Sequence, residues 1–306
     1  MITTLRPPGW STAMMTAPDR LLHRLEWRII RRLDGRLQGG YRTTRRGSGL
    51  DFHGLRAYTE GDDARHIEWN VTARLDEPQV REFIEDRELT TWLLLDRSAS
   101  MVIGEPTRGK HDVQTELALI LARVLGRGGN RVGAVLYGDG AARIIPPAGG
   151  RHQALRIGRE LIGPPRHPTA GTTDLADMLG TVTTLARRCL VVVISDFIGT
   201  GDWQRPLLRL AHRNEVVAVR VSDPADDSLP EVGLVVVQDA ETGEQLVVDS
   251  ADPLFRSRFG DGVEARETDL RTGTRRAGVT LHTVDTAADL LETLLMIFSE
   301  TQRRRR

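Results

Sequence analysis

The chain has 306 residues, 40% hydrophobic and 27% charged, with equal numbers of basic and acidic side chains and no net charge. That is the balance of a soluble globular protein, and no apolar run approaches the roughly 18 to 20 residues needed to span a bilayer. A single cysteine, Cys189, excludes an internal disulfide, and the first residues lack the charged-then-apolar order of a secretory leader, so the expected location is cytoplasmic.

The charge is unevenly spread. Residues 1–46 hold ten Arg against three acids, and 303–306 read "RRRR". Such basic ends suit nucleic acid, anionic lipid at a membrane surface or an acidic partner. However, 41 of the 42 basic residues are Arg, Lys110 being the exception, so the bias belongs to the whole chain. No nucleic-acid recognition motif accompanies it, and a solvated surface is the expectation.

From Arg20 to Gln38 the residues Leu22, Leu25, Ile29, Leu33 and Leu37 recur every three or four positions, predicting an amphipathic helix ended by Gly39-Gly40. Residues 47–89 are dense in charge. There "HIEWNVTAR" and "PQVREFIED" alternate as short strands, "TEGDD" reads as a turn, and Arg56, Asp62, Arg65 and Arg74 read as internal ion pairs and caps. From Leu89 the order becomes regular. "LTTWLLLD" is a strand, "HDVQTELALILARVLGR" a helix closed by Gly128-Gly129, and "RVGAVLYG" with "AARIIPP" a hairpin across "DG". Two helices follow, "RHQALRIGRELIG" and "TDLADMLGTVTTLARR". Next come the wholly apolar strand "CLVVVISD", the helix "WQRPLLRLAHR" and the strand "EVVAVRVSD". "GLVVVQDAETGEQLVVD" is a hairpin turning at "ETGE"; a charged helical region, the strand "VTLHTVD" and the helix "AADLLETLLMIFSE" complete the chain. This alternation predicts an α/β fold with a doubly wound, mostly parallel sheet, preceded by an N-terminal helix and a small β-rich extension. The expected divisions are 1–46, 47–89, 90–300 and a basic tail at 301–306.

Ligands of a doubly wound sheet sit beyond the carboxyl ends of its strands. "WLLLD" brings Asp96 to that edge and "VVVISD" brings Asp196, while the loop "TAGTTDL" offers Thr172, Thr173 and Asp174. In "DRSAS" the alternate residues Asp96, Ser98 and Ser100 face one way if the segment is extended. The result is a hard, all-oxygen set that suits Mg²⁺ or Mn²⁺ and not zinc.

At these residues the chain resembles the von Willebrand factor type A fold, whose metal-ion-dependent adhesion site combines an Asp-x-Ser-x-Ser segment, a threonine and a later aspartate. The resemblance implies Asp96, Ser98, Ser100, Thr173 (or its neighbour Thr172) and Asp196 as Mg²⁺ ligands, with a coordination place left for a partner carboxylate. The upstream block "GSGLDFHGLRAYTEGDDARHIEWNVTAR…REFIEDRE", together with "LLLDRSASM", resembles the bacterial domain of unknown function 58 family, over about Gly47 to Asp249. Many relatives there carry two membrane spans near the N-terminus, which this chain lacks. Members are commonly encoded beside MoxR-type AAA+ ATPases. The resemblance thus implies a non-enzymatic adaptor or co-chaperone that serves such an ATPase and an unidentified client.

The rival from another class is a Mg²⁺-dependent phosphatase with Asp96 as nucleophile. Such enzymes need an acid two residues on, where this chain has Ser98, and a basic residue for the phosphate, whereas Lys110 reads as a loop residue some way past the motif. No phosphate-binding loop, histidine cluster with ligand spacing, or histidine base beside Ser98 or Ser100 is evident.

Overall fold

The computed structural model describes residues 18–25, 46–60, 62–84, 89–102, 108–127, 129–138, 141–162, 174–199, 201–239 and 243–304. The chain divides into two compact units, one of residues 1–35 and 89–298, the other of 36–88 and 299–306. The larger unit opens with helix α1 (Pro18–Leu25), which buries Leu22 and Leu25. The rest of the amphipathic stripe expected to run to Gln38 lies outside the described residues.

In the smaller unit, β1 (Arg46–Ala57) pairs antiparallel with β2 (Gln79–Ile84). Between them come a 3-10 turn over Ala64–His66 and helix α2 (Trp69–Leu75). This corrects the strand expected for "HIEWNVTAR". Ile67 makes one bridge to Val80, after which the chain coils and stops at Asp76 in the left-handed conformation. The alternation misled because Trp69 is not a core residue: it is 67% exposed. The expected ion pairs do form in part. Arg56 grips both oxygens of Asp62 at 2.6 Å, and Arg65 pairs with Asp63, which also caps the 3-10 turn.

The larger unit is built on a six-stranded sheet. Its strands are β3 (Thr90–Asp96), β4 (Arg131–Gly138), β5 (Ala141–Ala148), β6 (Leu190–Ser195), β7 (Glu215–Ser222) and β10 (Thr280–Asp285), in spatial order β10-β7-β6-β3-β4-β5. All neighbours run parallel except the edge strand β5, which forms the expected hairpin with β4. Every residue of β6 is buried, as is β3 after Thr90. That is the reason their sequences are continuous apolar runs: a parallel sheet is covered on both faces.

The covering helices follow from strand alternation. Trp92, Leu94, Val191 and Val193 pack with Leu175, Met178, Leu179 and Val182 of a helix at Leu175–Leu185, and with Leu207 and Leu210 of a helix at Gln204–Arg213. Leu93 and Leu95 point to the opposite face. Helix Lys110–Leu125 packs against β3, β4 and β7. It stops at Gly126, two residues before the glycine pair expected to close it. Each fully buried Leu, Ile or Val in these layers contributes about 1.5–3 kcal/mol of transfer free energy. The antiparallel hairpin of β8 (Leu234–Gln238) and β9 (Gln245–Asp249) forms a separate two-stranded sheet. The charged region after it is one helix, Pro253–Arg276, begun by an Asp252 side-chain cap.

From β3 the chain winds outward to β4 and β5, then returns to β6 on the other flank and continues to β7 and β10. The winding reverses between β3 and β6, and it is beyond the carboxyl ends at such a reversal that doubly wound sheets take their ligands. Among the described residues no helix is long and apolar enough to cross a membrane.

Candidate metal centre

Asp96 is the last residue of β3 and Asp196 the first after β6. The two strands are in register through Leu95 and Ile194, which sets Asp96 level with Ser195. The register has a chemical result: Ser195 Oγ donates to Asp96 Oδ2 at 2.5 Å, while Ser98 N–H donates to Asp96 Oδ1 at 2.8 Å. Past the strand end the chain turns into a 3-10 segment at Ala99–Val102. The turn brings Ser98 Oγ and Ser100 Oγ within 2.9 Å of each other. Asp96, Ser98, Ser100 and Asp196 are each 1% exposed.

Two further groups lock this edge. Gln114, from helix Lys110–Leu125, donates its amide to the carbonyls of Asp96 and Ile194 at 2.8 and 3.1 Å, clamping the ends of β3 and β6 together. After Asp196 the backbone folds tightly: Phe197 N–H bonds Ser195 Oγ and Ile198 N–H bonds Asp196 Oδ1. Phe197 takes a φ of 55°, a left-handed conformation that costs a bulky residue about 1–3 kcal/mol. Its ring meets Trp203 edge-on, with centroids 6.3 Å apart.

Lys110 departs from its expected place on a loop. It opens the helix, is fully buried, and sends Nζ to Asp196 Oδ2 at 2.8 Å and to both oxygens of Asp226 at 3.1 and 3.0 Å. Its burial arises from tertiary packing, which spacing along the chain does not encode. Asp226 comes from the short helix Pro224–Asp227 that follows β7.

The electrostatics are unbalanced. Asp196 and Asp226 share the Lys110 ammonium, while the buried Asp96 carboxylate is held by the Ser195 hydroxyl and Ser98 N–H. Burial, with Asp196 nearby, pushes the Asp96 carboxyl up to about 7. Burial raises that of Asp226 as well, although Lys110 opposes the rise. Burial acts to strip the proton from Lys110, but Asp196 and Asp226 outweigh it and hold the ammonium above the ordinary lysine value. With all three carboxylates ionised beside one ammonium the excess is two negative charges, the amount a divalent cation neutralises. The donor set fits Mg²⁺ or Mn²⁺ on that count and on its hard oxygens. Among the described residues no group of three or more His, Cys, Asp or Glu is arranged to hold a metal, so a site here depends on the hydroxyls of Ser98 and Ser100. The remaining expected ligand, Thr173, and its alternative Thr172 lie outside the described residues. Asp174 caps helix Leu175–Leu185 through Ala176 N–H at 2.7 Å.

Three contributors went unread in sequence, Ser195, Gln114 and Asp226, and a fourth, Lys110, was placed on a loop. Only Lys110 carried a signal, as the single lysine in an arginine-rich chain.

The chain is similar to several known proteins. The uncharacterized protein Rv1480 of Mycobacterium tuberculosis is 36% identical over 283 residues, covering 92% of this chain and 89% of its own length. The uncharacterized protein MAV169 of Mycobacterium avium is 35% identical over 163 residues, 52% of this chain and 94% of its own. Among solved structures, BatB from Bacteroides thetaiotaomicron is 14% identical with a TM-score of 0.45, covering 71% of this chain and 99% of that one. The SpRpn10 VWA domain is 14% identical with a TM-score of 0.38, covering 68% and 94%. These two structural likenesses are loose and carry no inference about activity. Residues 54–269 match the family described as protein of unknown function DUF58, and with relatives at this identity over nearly the whole length, the chain belongs to that family.

Proposed function

We propose that the protein is a non-enzymatic, metal-dependent interaction module. A Mg²⁺ ion, or Mn²⁺, is held by Asp96, Ser98 and Ser100, with Asp196 and Thr173 completing the protein's share. The metal supplies an open coordination place for a carboxylate on a partner protein. The observation that carries this reading is the burial of the Asp96 and Asp196 carboxylates with the paired hydroxyls of Ser98 and Ser100 at the reversal point of the sheet. Ser195 and Gln114 act on the protein side by fixing the Asp96 carboxylate and its strand end. An adaptor or co-chaperone role beside a MoxR-type AAA+ ATPase is part of the proposal and rests on the family resemblance.

The test is capture of partners from the native cell on immobilised protein, with Mg²⁺ and with EDTA, in parallel with Asp96→Ala. The expected outcome is a set of partners, a MoxR-type ATPase among them, lost equally to EDTA and to the substitution while circular dichroism stays unchanged. Capture at full strength by the folded variant would refute docking through this site.

One observation keeps an enzymatic reading in play: Lys110 supplies, inside the same buried cluster, the cation that a phosphoryl-transfer site requires. Turnover of p-nitrophenyl phosphate with Mg²⁺, lost in Asp96→Asn, would favour it. The absence of an acid at position 98 weighs against it.

A further inference from the structure

Neither composition nor helix formation explains Lys110. Arginine fills the other 41 basic positions of the chain. A cation in the first turn also opposes the positive end of the helix dipole, so the helix itself gains nothing from it. Yet this residue is 0% exposed, with its ammonium bonded to acids from two different segments. A compact ammonium on a flexible stem reaches both carboxylates as a point charge, which a planar guanidinium does not.

Asp196 is thereby fully engaged: Oδ2 takes the ammonium and Oδ1 takes Ile198 N–H. The same carboxylate belongs to the cation site proposed above. A divalent ion and the ammonium compete for it in a buried region, where two positive charges repel far more strongly than in water. Asp226 gives the ammonium a second seat, since Nζ already bonds both of its oxygens.

Resting on the cation-site reading, we propose that Lys110 is a built-in counter-cation that a metal displaces. In metal-free protein its ammonium holds Asp196 and Asp226 together and keeps the strand ends from springing apart. Cation entry moves the ammonium from Asp196 onto Asp226 alone. Lys110 thus lowers the affinity for metal and preserves the fold without it. It is a positioning residue, and through Asp226 it reports metal binding to the segment after β7.

The experiment uses the full-length chain and Mg²⁺ alone as probe. Calorimetric titration of the native protein and Lys110→Met is expected to show the variant binding Mg²⁺ about tenfold more tightly or better, the gain from removing a buried like charge. In EDTA the variant melts below the native protein, and Mg²⁺ raises its melting temperature by the larger increment. A purely structural lysine would lower stability in both conditions and leave the affinity alone. The native chain offers a second readout that needs no variant to fold. With lysine labelled at Cε by carbon-13, the protein gives one lysine resonance, which is expected to shift with Mg²⁺ along the calorimetric saturation curve. Equal or weaker binding by Lys110→Met, or saturation with that resonance unmoved, overturns the displacement. No binding of Mg²⁺ by either protein overturns the cation site itself, and the displacement with it.

Discussion

The buried charge excess makes an unusual demand on Asp96: removing its charge should weaken function and strengthen the fold. Asp96→Asn keeps the side-chain shape and the oxygen that accepts Ser98 N–H, and Ser195 Oγ can turn to accept from the new amide. What disappears is a buried negative charge beside Asp196, whose own partner is the Lys110 ammonium. Raising this carboxyl from an ordinary 3.8 to about 7 corresponds to about 4 kcal/mol, at about 1.4 kcal/mol for each pH unit. Relaxation and water entry reduce this, leaving a gain of about 2–4 kcal/mol for the variant in metal-free solution. The sign follows from proton binding. Between pH 3.8 and 7 the folded protein holds a proton that the unfolded chain releases, so native stability falls as pH rises through that window. Urea unfolding in EDTA should therefore show the variant ahead of the native protein at pH 8, with the margin closing toward pH 5. Adding Mg²⁺ should stabilise the native protein and leave the variant unmoved. A variant that is less stable than the native chain at pH 8 would show that the ionised carboxylate anchors the fold, and the charge argument would fail.

Two other predictions concern titratable groups away from that carboxylate. His111 is held neutral: burial, aided by the neighbouring Arg97, pushes it down to about 4, and its Nε2–H meets the Leu161 carbonyl at 3.0 Å. The unfolded chain takes up a proton as pH falls through about 6.5 and the folded one does not until about 4, so up to about 3 kcal/mol of stability is lost across that interval. Urea midpoints for His111→Gln should be flatter there than those of the native protein, and parallel curves would exclude the assignment. Cys189 is buried beneath the start of β6, and burial pushes its thiol up to about 11. At pH 8 iodoacetamide should alkylate the native protein many-fold more slowly than the urea-unfolded chain, followed by intact mass, and equal rates would contradict the packing.

Much of the fold was legible because local pattern and tertiary environment agree. The runs "WLLL" and "VVVI" are apolar since both faces of β3 and β6 are covered, and the two expected hairpins form, β4 with β5 and β8 with β9. The error at "HIEWNVTAR" arose where they diverge: apolar residues alternate there, but Trp69 faces solvent, so no buried face existed to hold a strand. At the candidate site, Asp96 and Asp196 were readable as strand-end acids, because strand ends are local features and the sheet brings such ends to one edge. Ser98 and Ser100 were readable as companions in the same short segment.

The amino-acid order by itself determined the alternation of strands and helices, the edge where oxygen side chains collect, and the family. Tertiary structure alone decided the charge balance there. It buries Lys110 between acids 86 and 116 residues further along the chain, sets Ser195 opposite Asp96 through strand register, and reaches Gln114 across to two carbonyls. The physical reason is range. Periodicity and turn chemistry act over a few residues, whereas the cost of burying a charge depends on which distant groups the packed chain sets beside it.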